Sequence, residues 1–82
     1  MKTEMKMKEK VIADLALASY LSVTGHKILS THTINGRKLA FHFGFSETID
    51  QDILAYYNRT ARVCPLTFFE TVRNLKALTF QS

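Results

Sequence analysis

Cysteine, proline and glycine are scarce in this 82-residue chain, which contains one cysteine, one proline, three glycines and no tryptophan. A single cysteine excludes an internal disulfide framework and a zinc site built from several cysteines. The few glycines and the one proline mark turns and boundaries between elements. They form neither a linker nor a glycine-rich phosphate loop. The sequence also lacks a complete catalytic signature, so we predict that the protein is not an enzyme and uses no cofactor.

The composition is that of a globular protein, with 46% apolar and 22% charged residues. A chain of this length forms one small domain. Residues 1–10 contain four of the eleven basic and two of the seven acidic residues, so half of the net charge of +4 lies there. We predict a basic lead-in segment over 1–10 and a single domain over 11–82. That domain is only mildly basic, whereas DNA-binding domains usually cluster their cations more strongly.

The N-terminal region superficially resembles a secretory signal peptide, because a basic start precedes the run VIADLALASYLSV. Asp14 lies inside that run, and Glu4 and Glu9 precede it, which argues against export. The run is also too short and too polar to span a bilayer. We therefore expect a cytoplasmic protein that does not use the membrane, and the free Cys64 agrees with a reducing compartment.

Local signals predict a helix followed by a β-hairpin. Alanine and leucine favour a helix over 12–24, and Gly25 follows its end. The dipeptide Asn35-Gly36 predicts a type I′ turn that joins strands over 26–34 and 37–45. One face of this hairpin is expected to be buried and holds Ile28, Leu39, Phe41, Phe43 and Phe45.

Two further helices are predicted after the hairpin. Thr48 and Gln51 form a capping box at the start of the second helix, and Pro65 occupies the first position of the last helix. Methionine alternates with lysine over 5–8, which predicts a short N-terminal edge strand. The predicted fold class is therefore α+β: a helix, an antiparallel β-hairpin, and two C-terminal helices packed on one sheet face.

The hairpin register decides whether His32 and His42 lie on the same face of the sheet and could bind one metal ion together. A turn at Asn35-Gly36 pairs His32 with Leu39 on the core side, and alternation places His42 on the opposite face. No acidic residue stands at ligand spacing beside these histidines or His26. We therefore predict no metal site.

The first helix is apolar over most of its circumference. Such a helix is either sandwiched between layers of its own fold or covered by another chain. One interpretation is a homodimer or a complex with a partner protein that uses Leu17, Tyr20 or Leu21. The alternative is that the hairpin and the two C-terminal helices cover all three side chains.

Two features that could suggest catalysis have simpler explanations. Cys64 lies at the start of the last helix, where the helix dipole lowers the pKa of a thiol, but no His–Asp or His–Asn pair has a recognisable relation to it. We interpret Cys64 as a semi-buried capping residue. Asp50 and Asp52 point about 160° apart around their helix, so we interpret them as helix-start residues and not as a catalytic pair.

The most informative surface lies on the last helix. Phe69, Arg73, Lys76 and Phe80 fall within one narrow sector at helical spacing. Arg59 and Arg62, in the preceding turn, extend this basic-aromatic sector. Aromatic side chains interleaved with cations suit a protein-binding hot spot or the stacking of nucleic-acid bases. The alternative is that the phenylalanines form the edge of the core and the cations extend over them.

Several short motifs, in order, resemble a family of small bacterial and phage proteins of unknown function over roughly residues 14–80. The motifs are Tyr20-Leu21, Gly25-His26-Lys27, Phe41-His42-Phe43, Tyr56-Tyr57-Asn58, Pro65 with Phe69, and Asn74-Leu75-Lys76. The resemblance implies an origin in a phage or another mobile element. It supplies no catalytic residues.

These observations predict a small non-enzymatic binding protein, encoded by a phage or mobile element, that acts by protein–protein occlusion. The expected target is a host defence factor, as for an anti-CRISPR-type inhibitor. The alternative is a small basic nucleic-acid-binding accessory protein that uses the basic-aromatic sector.

Overall fold

The structure is a computed structural model that describes residues 9–36 and 38–81, with the side chains of 79–81 left out. Along the chain it contains β1 (Glu9–Ile12), α1 (Leu15–Val23), β2 (Ile28–Asn35), β3 (Lys38–Gly44), α2 (Ile49–Tyr57) and α3 (Pro65–Gln81). The predicted α+β fold class is confirmed. Over the described residues, no helix is long and apolar enough to cross a membrane.

An N-terminal edge strand is present. The methionines over 5–8 lie outside the described residues, and β1 begins at Glu9 and continues to Ile12. Ile12 therefore belongs to the sheet, and α1 begins only at Leu15. Asp14 caps this helix, since the backbone N–H of Leu17 donates a hydrogen bond of 3.1 Å to its carboxylate.

The sheet has the strand order β1-β3-β2 and is antiparallel throughout, so β3 is central. A two-residue turn at Asn35-Gly36 predicts that Ile28 pairs with Phe43, and this pairing is confirmed, but the rest of the hairpin register is not. β2 has two irregularities, one between Ile28 and Ser30 and one between Thr33 and Asn35. Each adds one residue to β2 that has no partner in β3, as in a β-bulge.

The first bulge reverses the faces that the sequence predicts. His32 pairs with Ala40 and not with Leu39, and Ser30 pairs with His42. Because one extra residue moves all following side chains to the other face, His32 and His42 lie on the same face of the sheet. The predicted separation of these two histidines is therefore wrong.

The core lies between α1, the sheet and the two later helices. Leu39, Phe41 and Phe43 project from one face of β3 into it, as predicted, whereas Phe45 lies beyond the strand end and is exposed. Leu17, Tyr20 and Leu21 are only 3%, 6% and 0% exposed in the monomer. They do not form an open interface, and the structure instead agrees with the alternative that other elements of the chain cover them.

Each of the two C-terminal helices packs one face against the core, although Tyr57, which helical spacing also predicts on the inward face of α2, is exposed. Ile49 is buried, Ile53 and Tyr56 pack against the core, and α3 begins at Pro65 and buries Leu75. The capping box at α2 is wrong, because Thr48 makes no side-chain cap hydrogen bond in its helical backbone conformation. α2 ends before Arg59, which has a positive φ of 64°.

Candidate interaction surface

One side of α3 is packed and the other faces solvent. Phe68 and Val72 are half-buried and Leu75 is buried, at the spacing of a single helical face. The flank beside this packed face exposes four residues at intervals of three, four and three positions, which place them in one row along the helix. We call this row the α3 stripe; it consists of Leu66, Phe69, Arg73 and Lys76.

The two apolar residues at the start of the α3 stripe are unusually exposed for such large side chains. Leu66 is 67% exposed and Phe69 is 63% exposed. Phe69 is therefore not the edge of the core, which was the alternative explanation for the basic-aromatic sector. Sequence reasoning missed Leu66, although its position three residues before Phe69 could have revealed it.

The structure places the other residues of the predicted basic-aromatic sector in different parts of the molecule. Arg73 and Lys76 are exposed on the same side of α3 as Phe69. The side chain of Phe80 lies outside the described residues. Arg59 and Arg62 are exposed in the connection between α2 and α3. Their contribution to binding stays a prediction.

A second group of polar side chains lies on the outer face of the sheet. His42 Nδ1 lies 2.7 Å from Glu9 Oε1, and His42 Nε2 lies 2.7 Å from His32 Nδ1. The two imidazole rings meet edge to face, with centroids 4.8 Å apart. One side chain from each strand thus forms a chain of hydrogen bonds across the sheet. Sequence reasoning missed this group because it depends on the bulge in β2 and on the pairing of β1 with β3.

The third histidine also has an acidic partner, which the sequence did not indicate. His26 Nε2 donates a hydrogen bond of 2.7 Å to Asp52 Oδ2. Asp52 also lies near Tyr20; burial, and to a smaller extent this carboxylate, raise the pKa of the Tyr20 hydroxyl. Across residues 9–36 and 38–81, no group of three or more histidine, cysteine, aspartate or glutamate side chains is arranged to hold a metal ion.

Cys64 immediately precedes α3 and is exposed, not semi-buried. The backbone N–H and hydroxyl of Thr67 and the backbone N–H of Leu66 donate hydrogen bonds that lower the pKa of the Cys64 thiol. The thiol thus accepts hydrogen bonds at the start of the helix, as a capping side chain does.

Comparisons with known proteins place the chain in a family but not in a functional class. No curated protein and no solved structure matches it. One family, described as a domain of unknown function (DUF5659), matches residues 7–81. That match covers nearly the whole chain, including every described element. This protein is therefore a member of the DUF5659 family.

Proposed function

We propose that this protein is a small non-enzymatic binding protein that occludes a surface of another protein through the α3 stripe. The observation that supports this proposal is the exposure of Leu66 and Phe69, each about two-thirds accessible, side by side on one helix. Full burial of a leucine or phenylalanine side chain contributes roughly 1.5–3 kcal/mol, so a partner that covers both would gain substantially.

The stripe is presented on a rigid support. α3 is 17 residues long and packs against α1, with Leu75 in the core and Phe68 packed against the core. Side chains on a helix that is already packed lose little backbone entropy when they bind. Arg73 and Lys76 continue the row beyond the apolar pair, and basic side chains at the rim of a contact favour an acidic partner surface.

The identity of the occluded protein is a further part of this proposal. An origin in a phage or mobile element, and a host defence factor as the target of an anti-CRISPR-type inhibitor, rest on the resemblance of the sequence motifs. The small size of the chain and its lack of a catalytic signature agree with inhibition by occlusion. A homodimer through Leu17, Tyr20 and Leu21 is not part of the proposal, because these side chains are buried in the monomer.

Binding to nucleic acid is the second candidate. It is favoured by the position of exposed Phe69 next to Arg73 and Lys76, because bases stack on aromatic rings while cations contact phosphates. The modest charge of the domain makes this candidate weaker, since phosphate contacts supply most of the affinity in such complexes.

Affinity capture from a bacterial lysate, with and without nuclease, separates the two candidates. The double variant Leu66→Ser/Phe69→Ser should lose the captured protein, whereas Leu54→Ser, which removes an equally exposed leucine from α2, should retain it. The captured protein must then bind the purified wild-type chain directly and fail to bind the double variant. Unchanged binding by the double variant would exclude the α3 stripe.

The second candidate makes a different prediction in the same experiment. Capture that disappears after nuclease treatment, together with oligonucleotide binding that weakens steeply with salt, would favour nucleic acid. The charge reversals Arg73→Glu and Lys76→Glu should then abolish oligonucleotide binding while circular dichroism remains unchanged, since exposed cations contribute little to stability.

A further inference from the structure

The hairpin strand β2 forms one edge of the sheet and is open to solvent. β3 is its only strand neighbour in the described part of the chain. All seven residues of β2 after Ile28 are exposed. Along such an edge, every second residue directs its backbone N–H and C=O away from the sheet, where another strand can pair with them.

The two edges of the sheet differ in the features that discourage further pairing. Charged side chains and a short length keep other strands from joining an edge. β1 has four residues, and two of them are Glu9 and Lys10. β2 has eight residues, ILSTHTIN, with no lysine, arginine, aspartate, glutamate or proline among them. β2 is therefore the edge at which another strand is more easily added.

The helical layer ends before it reaches β2. Thr31 pairs with Phe41 and Thr33 pairs with Leu39, so both threonines lie on the core side of the sheet. Phe41 and Leu39 are buried, whereas both threonines are exposed. The described helices therefore leave the core side of β2 uncovered, and they do not block a neighbouring strand there.

We infer that β2 pairs with β2 of a second copy of this chain in a symmetric, antiparallel dimer. The two bulges leave Ser30–Thr33 in regular register, and an unpaired apolar residue flanks this stretch at each end. These flanking residues are Leu29, which is 51% exposed, and Ile34, which is 45% exposed. From Leu29 to Ile34 the pattern is thus apolar, four polar residues, apolar, and it is the same in both directions.

This reversible pattern favours a second copy over a different protein. A two-fold axis between antiparallel strands brings the start of each strand next to the end of the other, so Leu29 of one copy lies near Ile34 of the second copy. With the axis at Thr31 or at His32, threonine meets threonine on the core side, which is a favourable cross-strand pair. Because β2 has no lysine, arginine, aspartate or glutamate, the axis brings no such like charges together, although the chain has a net charge of +4.

The dimer would have one continuous sheet. A two-fold axis perpendicular to the sheet gives the strand order β1-β3-β2-β2-β3-β1, with the helices of both copies on the same side. The α3 stripe takes no part in this contact, so the inference does not depend on the proposed function.

Sedimentation equilibrium at increasing protein concentration tests the dimer. The Cys64→Ser chain is the parent, because an exposed thiol could itself link two copies. An interface built on one strand of about 26 Å belongs to the small, transient class, so high concentrations are needed. We expect the mass to rise from that of one chain toward that of two. The mass of one chain at every concentration up to the solubility limit would overturn the proposal.

A lysine on β2 should weaken the dimer, because the axis brings it near the same lysine of the second copy. Thr31→Lys should weaken self-association at least about tenfold. Thr31→Val is the matched control, since it keeps a neutral, β-branched side chain, and Gln51→Lys adds the same charge on an exposed part of α2. Both controls should retain the dimer. A folded Thr31→Lys chain that self-associates like the parent would exclude β2 as the contact.

Single cysteines in the Cys64→Ser parent locate the contact without relying on a lysine variant. With a mild added oxidant, Thr31→Cys or His32→Cys should form a disulfide between two copies, because the axis crosses this stretch. Leu54→Cys, which is exposed on α2, should remain mostly unlinked. Linking at position 54 that equals or exceeds linking at positions 31 and 32 would overturn the proposal.

Two further outcomes separate the second copy from other occupants of the edge. The double variant Leu66→Ser/Phe69→Ser should self-associate like the parent, and loss of its dimer would place the contact on the α3 stripe instead. A chain that is monomeric alone, but whose capture of a lysate protein is lost in Thr31→Lys, would show that a strand of another protein joins β2. Either result would overturn the dimer.

Discussion

His26 and Asp52, which are 26 positions apart in the chain, are joined by a hydrogen bond of 2.7 Å between Nε2 and Oδ2. The bond connects the turn after α1 to the first turn of α2. The side chain of His26 is only 10% exposed and that of Asp52 is 30% exposed, so water competes weakly for this contact. The neighbouring acidic residue of α2, Asp50, instead pairs with Lys10 at 2.8 Å and is 64% exposed.

Removal of Asp52 should therefore destabilise the protein more than removal of Asp50. We expect Asp52→Ala to lower the free energy of unfolding by about 1.5–3 kcal/mol, because it leaves a buried imidazole donor without its charged acceptor. Asp50→Ala should cost at most about 1 kcal/mol, as for other exposed ion pairs. Urea denaturation measures both. Both variants remove a negative charge from the start of α2, so they lose the same favourable interaction with the helix dipole. If the two variants lost equal free energy of unfolding, the hydrogen bond between His26 and Asp52 would make no additional contribution to stability.

Much of the fold could be predicted because its signals are local. Pro65 marks the start of α3, and the spacing of Phe68, Val72 and Leu75 identifies its buried side. The alternating phenylalanines of β3 identify the core face of the sheet. Each of these features depends on residues within a few positions of one another.

The sequence alone could not predict which side chains meet on the outer face of the sheet, and the reason is physical. The rule that strand side chains alternate with a period of two fails at a bulge, and no residue around Leu29 marks the bulge as glycine would. Glu9 reaches His42 only because β1 pairs with β3, a contact across 33 positions. Similarly, the partners of Asp50 and Asp52 come from distant segments, so helix-start preference alone could not reveal them.

Gly36 lies in the hairpin turn and has a positive φ of 52°. Asn35 does not have the positive φ that a type I′ turn requires and pairs with Lys38 at the end of the ladder, so the predicted type I′ turn centred on Asn35-Gly36 is wrong. Gly36→Val should lower stability by roughly 1–2 kcal/mol, because a side chain with Cβ is strained in the left-handed region. Gly36→Asn should cost less, since asparagine adopts this conformation more readily. Thermal melts of the two variants provide the comparison.

Gly44→Ala is the control for Gly36. An added Cβ at Gly44 would meet only the Leu29 side chain, at an ordinary 3.6 Å, and its φ is not positive. A loss of stability at Gly44 as large as that of Gly36→Val would show that sheet packing, and not the turn conformation, determines the effect.

Two tyrosines should make the protein less stable at alkaline pH. Burial, followed by the Asp52 carboxylate, raises the pKa of Tyr20, and burial, followed by Asp14 and Tyr57, raises that of Tyr56. The fold thus favours the neutral phenols. Their stabilising effect is complete below the unfolded tyrosine pKa of about 10 and is lost as the pH rises through the higher folded values.

The urea midpoint should therefore fall between pH 8 and pH 11, and Tyr20→Phe should reduce that fall because its ring cannot ionise. Tyr57→Phe is the comparison and should change that fall less, since Tyr57 is 60% exposed and is the smallest of the three causes of the raised pKa of Tyr56. An identical pH dependence in the wild-type chain and Tyr20→Phe would show that Tyr20 ionises equally well in both states.

Cys64 should react with alkylating agents at a lower pH in the folded protein than in the unfolded chain. The Thr67 backbone N–H, the Thr67 hydroxyl and the Leu66 backbone N–H all stabilise the thiolate, and the thiol is exposed to reagent. These donors exist only when α3 is formed. Because the folded pKa is lowered, the stabilisation of the fold by the thiolate is present above the unfolded pKa and is lost as the pH falls through the folded value.

The rate of iodoacetamide modification, measured against pH in buffer and in concentrated urea, tests this difference. The midpoint in buffer should lie below the midpoint in urea, and Thr67→Val should move the folded midpoint part of the way back, because it removes the hydroxyl but keeps the backbone donor. Matching midpoints in buffer and urea would mean that the helix start does not stabilise the thiolate. A Thr67→Val midpoint equal to that of the wild type would assign the whole effect to the backbone, since the N–H groups of α3 remain in that variant.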